Sequence, residues 1–146
     1  MASYLENLLM TTQNVVLPLP ESLYLRLQQT AHATRQTLTD VLLHAVQVGS
    51  PPNWEESPAM FQADLAALDR LDDESLWRVV RLHRDETEMD RHQELLDRNS
   101  EGTLTESERT ELVALRTGAD RLMLRKAHAA ALLRWRGHTL PPSDQL

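Results

Sequence analysis

Cysteine is absent from all 146 residues. That removes disulfides, thiolate nucleophiles and cysteine-based zinc sites, and it fits a reducing, cytoplasmic setting. Glycine occurs only four times, too few for a glycine-rich phosphate loop. No apolar run approaches the ~18 residues of a membrane span. The first ten residues lack the basic start of a secretory signal, and Glu6 and Asn7 break their one apolar run. Positive charge is also short: 15 Lys and Arg stand against 22 Asp and Glu, a net charge of −7. Broad, non-specific binding to nucleic acid depends on neutralising phosphates, so that charge argues against it.

What is present is a core-forming share of apolar residues, 41%, enough to exclude wholesale disorder. The acidity is concentrated in the middle. Residues 51–100 hold thirteen acids and six bases, whereas residues 1–50 and 101–146 are each within one charge of neutral. Fourteen of the fifteen bases are arginine, and Lys126 is the exception.

The local signals predict a mainly α chain. Ser3 and Glu6 have capping-box spacing and predict a short helix over 3–10. The β-branched, apolar stretch from Thr12 to Leu19 predicts a short strand, with Val15, Leu17 and Leu19 on one face and Asn14, Val16 and Pro18 on the other. Pro18, lacking an N–H, limits its length. Pro20 suits a helix start, and Leu23, Leu27 and Ala31 follow on one helical face. A turn over Thr34–Gln36 and a second capping signal, Thr37 with Asp40, introduce a helix striped by Leu38, Val41, Leu42, Ala45 and Val46. Gly49 stops it, and Ser50-Pro51-Pro52-Asn53 reads as a linker.

The rest reads as helix. Ser57 and Pro58 begin one striped by Phe61, Leu65 and Leu68, and Asp72 and Asp73 begin another carrying Leu76, Val79, Val80 and His83. Met89, Leu95 and Leu96 mark a third, broken by Asn99–Gly102. Thr105 and Glu108 form a capping box. The pattern then runs from Glu106 to Arg136 with an interruption at Gly118. At 1.5 Å per residue that is about 45 Å, so this last helix is predicted to protrude or to lie along a partner.

Catalytic constellations are missing. Glu88 and His92 stand at i, i+4 and could share a metal, but His83 falls on the opposite face and no HExxH unit completes a site. A solvated charged face is the simpler reading of that pair. The remaining histidines have no Ser or Asp at informative spacing, and Asp72-Asp73 reads as helix N-terminal charge. The chain is therefore expected to be no enzyme and to need no cofactor or metal.

Residues 15–48 resemble a ribbon-helix-helix module. The matching residues are Val15–Leu19, Pro20-Glu21-Ser22-Leu23, Leu27, Ala31, then Thr37-Leu38-Thr39-Asp40-Val41-Leu42 and Ala45. The resemblance implies a homodimer whose strands pair and whose core is Val15, Leu17, Leu19, Leu23, Leu27, Val41, Leu42 and Ala45. It implies a repressor or the antitoxin half of a toxin–antitoxin pair, reading operator DNA through the outward strand side chains. Here those are Asn14, Val16 and Pro18, of which only Asn14 offers a donor and an acceptor. Arg35, in the family's usual glycine position, and the helix start Thr37–Thr39 complete a DNA-facing set of Asn14, Val16, Arg35, Thr37 and Thr39, and the expected DNA binding is weak.

The tail, Gly102-Thr103-Leu104-Thr105-Glu106 with Arg121–Ala127, is similar to the helical tails of small bacterial antitoxin-like proteins. No acid lies between Arg121 and Ser143, and bases alternate there with apolar residues. Leu122, Arg125, Lys126, Leu133, Trp135 and Arg136 are the candidate contacts for a toxin-like protein partner. A core helix answering the acidic segment is the competing account. The expected organisation is an extension (1–11), a dimerisation module (12–49), a linker (50–57), a helical partner-binding region (58–140) and a tail (141–146). The expected function is a non-catalytic binding protein, antitoxin-like or regulator-like. The alternative is a helical adaptor that has lost DNA.

Overall fold

The computed structural model describes residues 12–146, so the helix expected over 3–10 lies outside the described residues. The chain divides after Ser50 into two compact units.

The first unit is a helical hairpin. α1 (Glu21–Thr34) starts after Pro20, whose carbonyl accepts from the Leu23 and Tyr24 amides. It ends at Arg35 in the left-handed conformation, φ 55°. The Gln36 amide there reaches back to the Ala31 carbonyl at 3.0 Å, the closing bond of a Schellman turn that usually carries glycine. A side chain in that conformation costs about 1–2 kcal/mol. α2 (Leu38–Val48) is capped by Thr37, whose hydroxyl accepts from the Asp40 amide at 3.0 Å.

The strand expected over Thr12–Leu19 is not there. Among the described residues there is no strand, and the segment has no regular structure. Pro18 and Pro20 lack ladder donors, and the rest of the described chain is helix and loop, offering no second strand to pair with.

The second unit holds α3 (Ala59–Leu68), α4 (Asp73–Val80), α5 (Glu86–Glu101), α6 (Glu106–Trp135) and a single 3-10 turn (Ser143–Gln145). Their starts follow the local signals. Asp72 accepts from the Ser75 amide at 2.8 Å, and Thr105 and Glu108 make the reciprocal capping box. α3 starts one residue later than Ser57 implied, with Pro58 at its cap. α4 stops at Val80, which leaves His83 in the following loop instead of on the helical stripe. Gly102 ends α5 at φ 72°.

α6 does not protrude from its unit. Its 30 residues run unbroken through Gly118 and serve as the common floor for α3, α4 and α5, each of which packs mainly on α6. Leu65, Leu68, Leu76, Val79, Val80, Ala129, Ala130, Leu132 and Leu133 form one core cluster. Ala129 and Ala130 let the short helices approach closely. The other half of α6 meets α5 through buried Leu95 and Leu112. There Arg91 forks onto Glu111, with Nε and a terminal nitrogen 2.8 and 2.9 Å from its two oxygens, and Arg98 pairs with Glu108. The last residues are no free tail, since Leu140 and Leu146 pack against the core.

Candidate functional site

The basic end of α6 divides into two environments. One is a polar clamp. Arg136 points inward and donates to the Leu71 carbonyl (2.8 Å), the Asp73 carboxylate (2.9 Å) and the Asp69 carbonyl (3.3 Å). A guanidinium there satisfies carbonyls at the C-terminus of α3, where a cation also suits the helix dipole. His138 Nε2 lies 2.7 Å from the other Asp73 oxygen and meets Trp77 edge-on. Next to it, buried His128 lies 2.7 Å from Asp69 Oδ1, while Trp54 donates to Asp69 Oδ2 at 2.9 Å. These groups tie the loop between α3 and α4 to the end of α6.

Hydrogen bonds from Arg136 first, and then from His138, hold the Asp73 carboxyl below the ordinary carboxylate range. A depressed folded-state value means stability that is present above about pH 4 and lost as pH falls through the lower folded value. Asp73→Asn should therefore lower the urea midpoint at pH 6. It should also flatten the decline between pH 5 and pH 2, so that the two profiles converge in acid. Parallel profiles would show that Asp73 has no such part.

The second environment is an open groove of about 390 Å³ between α6, the start of α5 and the loop after α4. Leu82, Met89, Leu122 and Met123 supply apolar walls, and His83, Arg84 and Lys126 supply its ionisable lining. Met123 is 61% exposed, and Met89 and Leu82 more than 40%. Among the described residues Arg84 Nε is the one buried side-chain nitrogen or oxygen without a hydrogen-bond partner. Another Arg84 nitrogen lies 3.1 Å from His92 Nδ1, and its contact with Glu88 is long, 3.9 Å. The Glu88–His92 pair is thus occupied with an arginine. Among the described residues no group of three or more His, Asp or Glu could hold a metal.

The predicted partner contacts separate accordingly. Leu122 and Lys126 line the groove. Arg125 is half-buried beside them and Trp135 is 51% exposed at the helix end. Leu133 is fully buried in the core and is corrected to a structural role, while Arg136 is half-buried with its guanidinium engaged in the clamp. Leu82, His83, Arg84 and Met89 were missed. The Leu82-His83-Arg84 run was visible in the sequence, but its approach to α6 is tertiary.

In the first unit, Asn14, Val16, Arg35, Thr37 and Thr39 are all exposed. Of the predicted dimer core, Val41 is buried, Leu19, Leu23, Leu27 and Leu42 are half-buried, and Val15, Leu17 and Ala45 are exposed. Among the described residues no helix is long and apolar enough to cross a membrane. No family model, curated protein or solved structure matches this chain.

Proposed function

We propose that this chain is a non-catalytic binding protein of regulator or antitoxin type, which pairs with a second copy through its first unit and offers its helical unit to a protein partner. One observation carries the pairing. The hairpin buries only Ala31 and Val41, while Val15, Val16, Leu17, Leu43, Val46 and Val48 stand more than half exposed. An apolar surface of this kind marks an interaction site. Residues 1–50 carry three acids (Glu6, Glu21, Asp40) and two bases (Arg26, Arg35), so two copies of this unit approach with little net repulsion.

Light scattering after size exclusion tests this. The chain is expected at twice its 16.7 kDa at micromolar concentration. Leu43→Asp with Val46→Asp should return it to monomer, since a charge left unpaired in an interface costs about 3 kcal/mol or more. Both side chains are exposed within the hairpin, so its own packing is spared. A wild-type monomer at tens of micromolar would remove the proposal.

The adaptor reading, in which DNA is not bound, has specific support. The Thr37 hydroxyl is engaged by the Asp40 amide, and Asp40 puts a negative charge in the first turn of α2, where a phosphate would otherwise settle. Anisotropy with duplex DNA at two salt concentrations distinguishes the two readings, since phosphate contacts impose a salt slope.

A further inference from the structure

We propose that the groove of the helical unit binds an acidic peptide segment of a protein partner, seating one large apolar side chain against Met89 and Met123 with carboxylates on the Arg84–Lys126 rim. This rests on the reading of the helical unit as the partner-binding unit and names the chemistry of that partner.

The apolar part follows from exposure. Leu82, Met89 and Met123 are all more than 40% exposed around a cavity of about 390 Å³, at the size of sites that accept a side chain or small ligand. Methionines at such a place adapt to differently shaped anchors. The charged part follows from sign. The chain is −7 overall, yet each ionisable group lining this groove, His83, Arg84 and Lys126, is a base. A base set in an acidic molecule is ordinarily neutralised by its own acids, as Arg91 is by Glu111. Among the described residues Lys126 has no such pair, and the one acid near Arg84 is Glu88 at 3.9 Å, its other contact being with His92 and its Nε unpartnered. Three bases are too few to hold a nucleic-acid backbone, and an apolar floor gives phosphate nothing to bind. An acidic segment with an apolar anchor satisfies both halves of the groove, and the complementary charges set orientation and encounter rate.

The probe is a fluorescein-labelled dodecapeptide, Asp-Glu-Leu-Asp-Glu-Leu-Leu-Glu-Asp-Leu-Asp-Glu, titrated with the full chain by anisotropy. Saturable binding is expected. It should weaken about tenfold or more in Met123→Glu and, separately, in Lys126→Glu, and less in Lys126→Gln. Thermal melts of each variant confirm that the unit remains folded. The same peptide with lysine at every acidic position should not bind. Equal binding of the lysine peptide, or affinity unchanged in both glutamate variants, overturns the proposal. So does full displacement by millimolar octanoate without any effect of the glutamate variants, which would assign the site to a small amphiphile. Light scattering on the same samples reports dimerisation independently. A dimer that ignores the peptide sinks the groove alone, and a monomer that binds it sinks the pairing alone.

Discussion

Removing residues 103–146 should unfold the whole C-terminal unit. α3 and α4 have 10 and 8 residues, below the ~12–15 at which an isolated helix is marginal in water, and α5, with 16, is barely longer. Each packs chiefly on α6. The deletion takes away Leu112, Ala129, Ala130, Leu132 and Leu133 together, along with buried His128, so Leu65, Leu76 and Val80 would face solvent. The expected far-UV spectrum loses far more helix than α6 alone contributes, and amide exchange across 59–101 becomes unprotected. A truncated chain that melts cooperatively with α3–α5 intact would contradict the central place given to α6.

Leu133→Ala should be the most damaging single truncation of a side chain. Leu133 is 0% exposed within the cluster shared by α3, α4 and α6, and a fully buried leucine cut to alanine typically costs about 3 kcal/mol, from lost transfer energy and the cavity left behind. For a unit of this size that is roughly 10–20 °C in melting temperature. Met123→Ala, ten positions earlier on the same helix but 61% exposed, should stay within about 0.5 kcal/mol of wild type. Similar losses at both positions would mean that α6 is not buried where the packing puts it.

The ends of elements were the legible part of this sequence. Thr37 with Asp40, Asp72, Thr105 with Glu108, Gly49 and Gly102 all act through hydrogen bonds or backbone angles within a few residues, so sequence spacing reports them directly. The Val15–Leu19 strand failed because β-branched residues favour extended backbone without providing the second strand that a ladder needs. The fate of α6 was illegible for another reason. Periodicity marks which face is apolar but not what covers it, and a helix of about 45 Å is accommodated because three short helices line up along it. Gly118 interrupts the apolar pattern of that helix without breaking the helix itself. It lies opposite α5, where a side chain's first carbon would stand 3.8 Å from the Glu88 carboxylate. The groove was half legible: Leu122 and Lys126 could be read from the stripe, whereas Leu82, Arg84 and Met89 reach it only through the fold.

The order of synthesis acquires a meaning from the placement of α6. A ribosome delivers α3, α4 and α5 first, and the helix on which all three must settle comes last. At roughly 5–20 residues per second, residues 51–135 take on the order of 4–17 s to make, and the end of α6 must still clear the exit tunnel. Throughout that interval Phe61, Leu65, Leu76 and Val80 have no surface to bury against. The second unit should therefore gain protection from proteolysis only once α6 has emerged, which release of nascent chains stalled before and after α6 would show. A cut between Ala59 and Leu133 should therefore cost the whole second unit and not only the part removed.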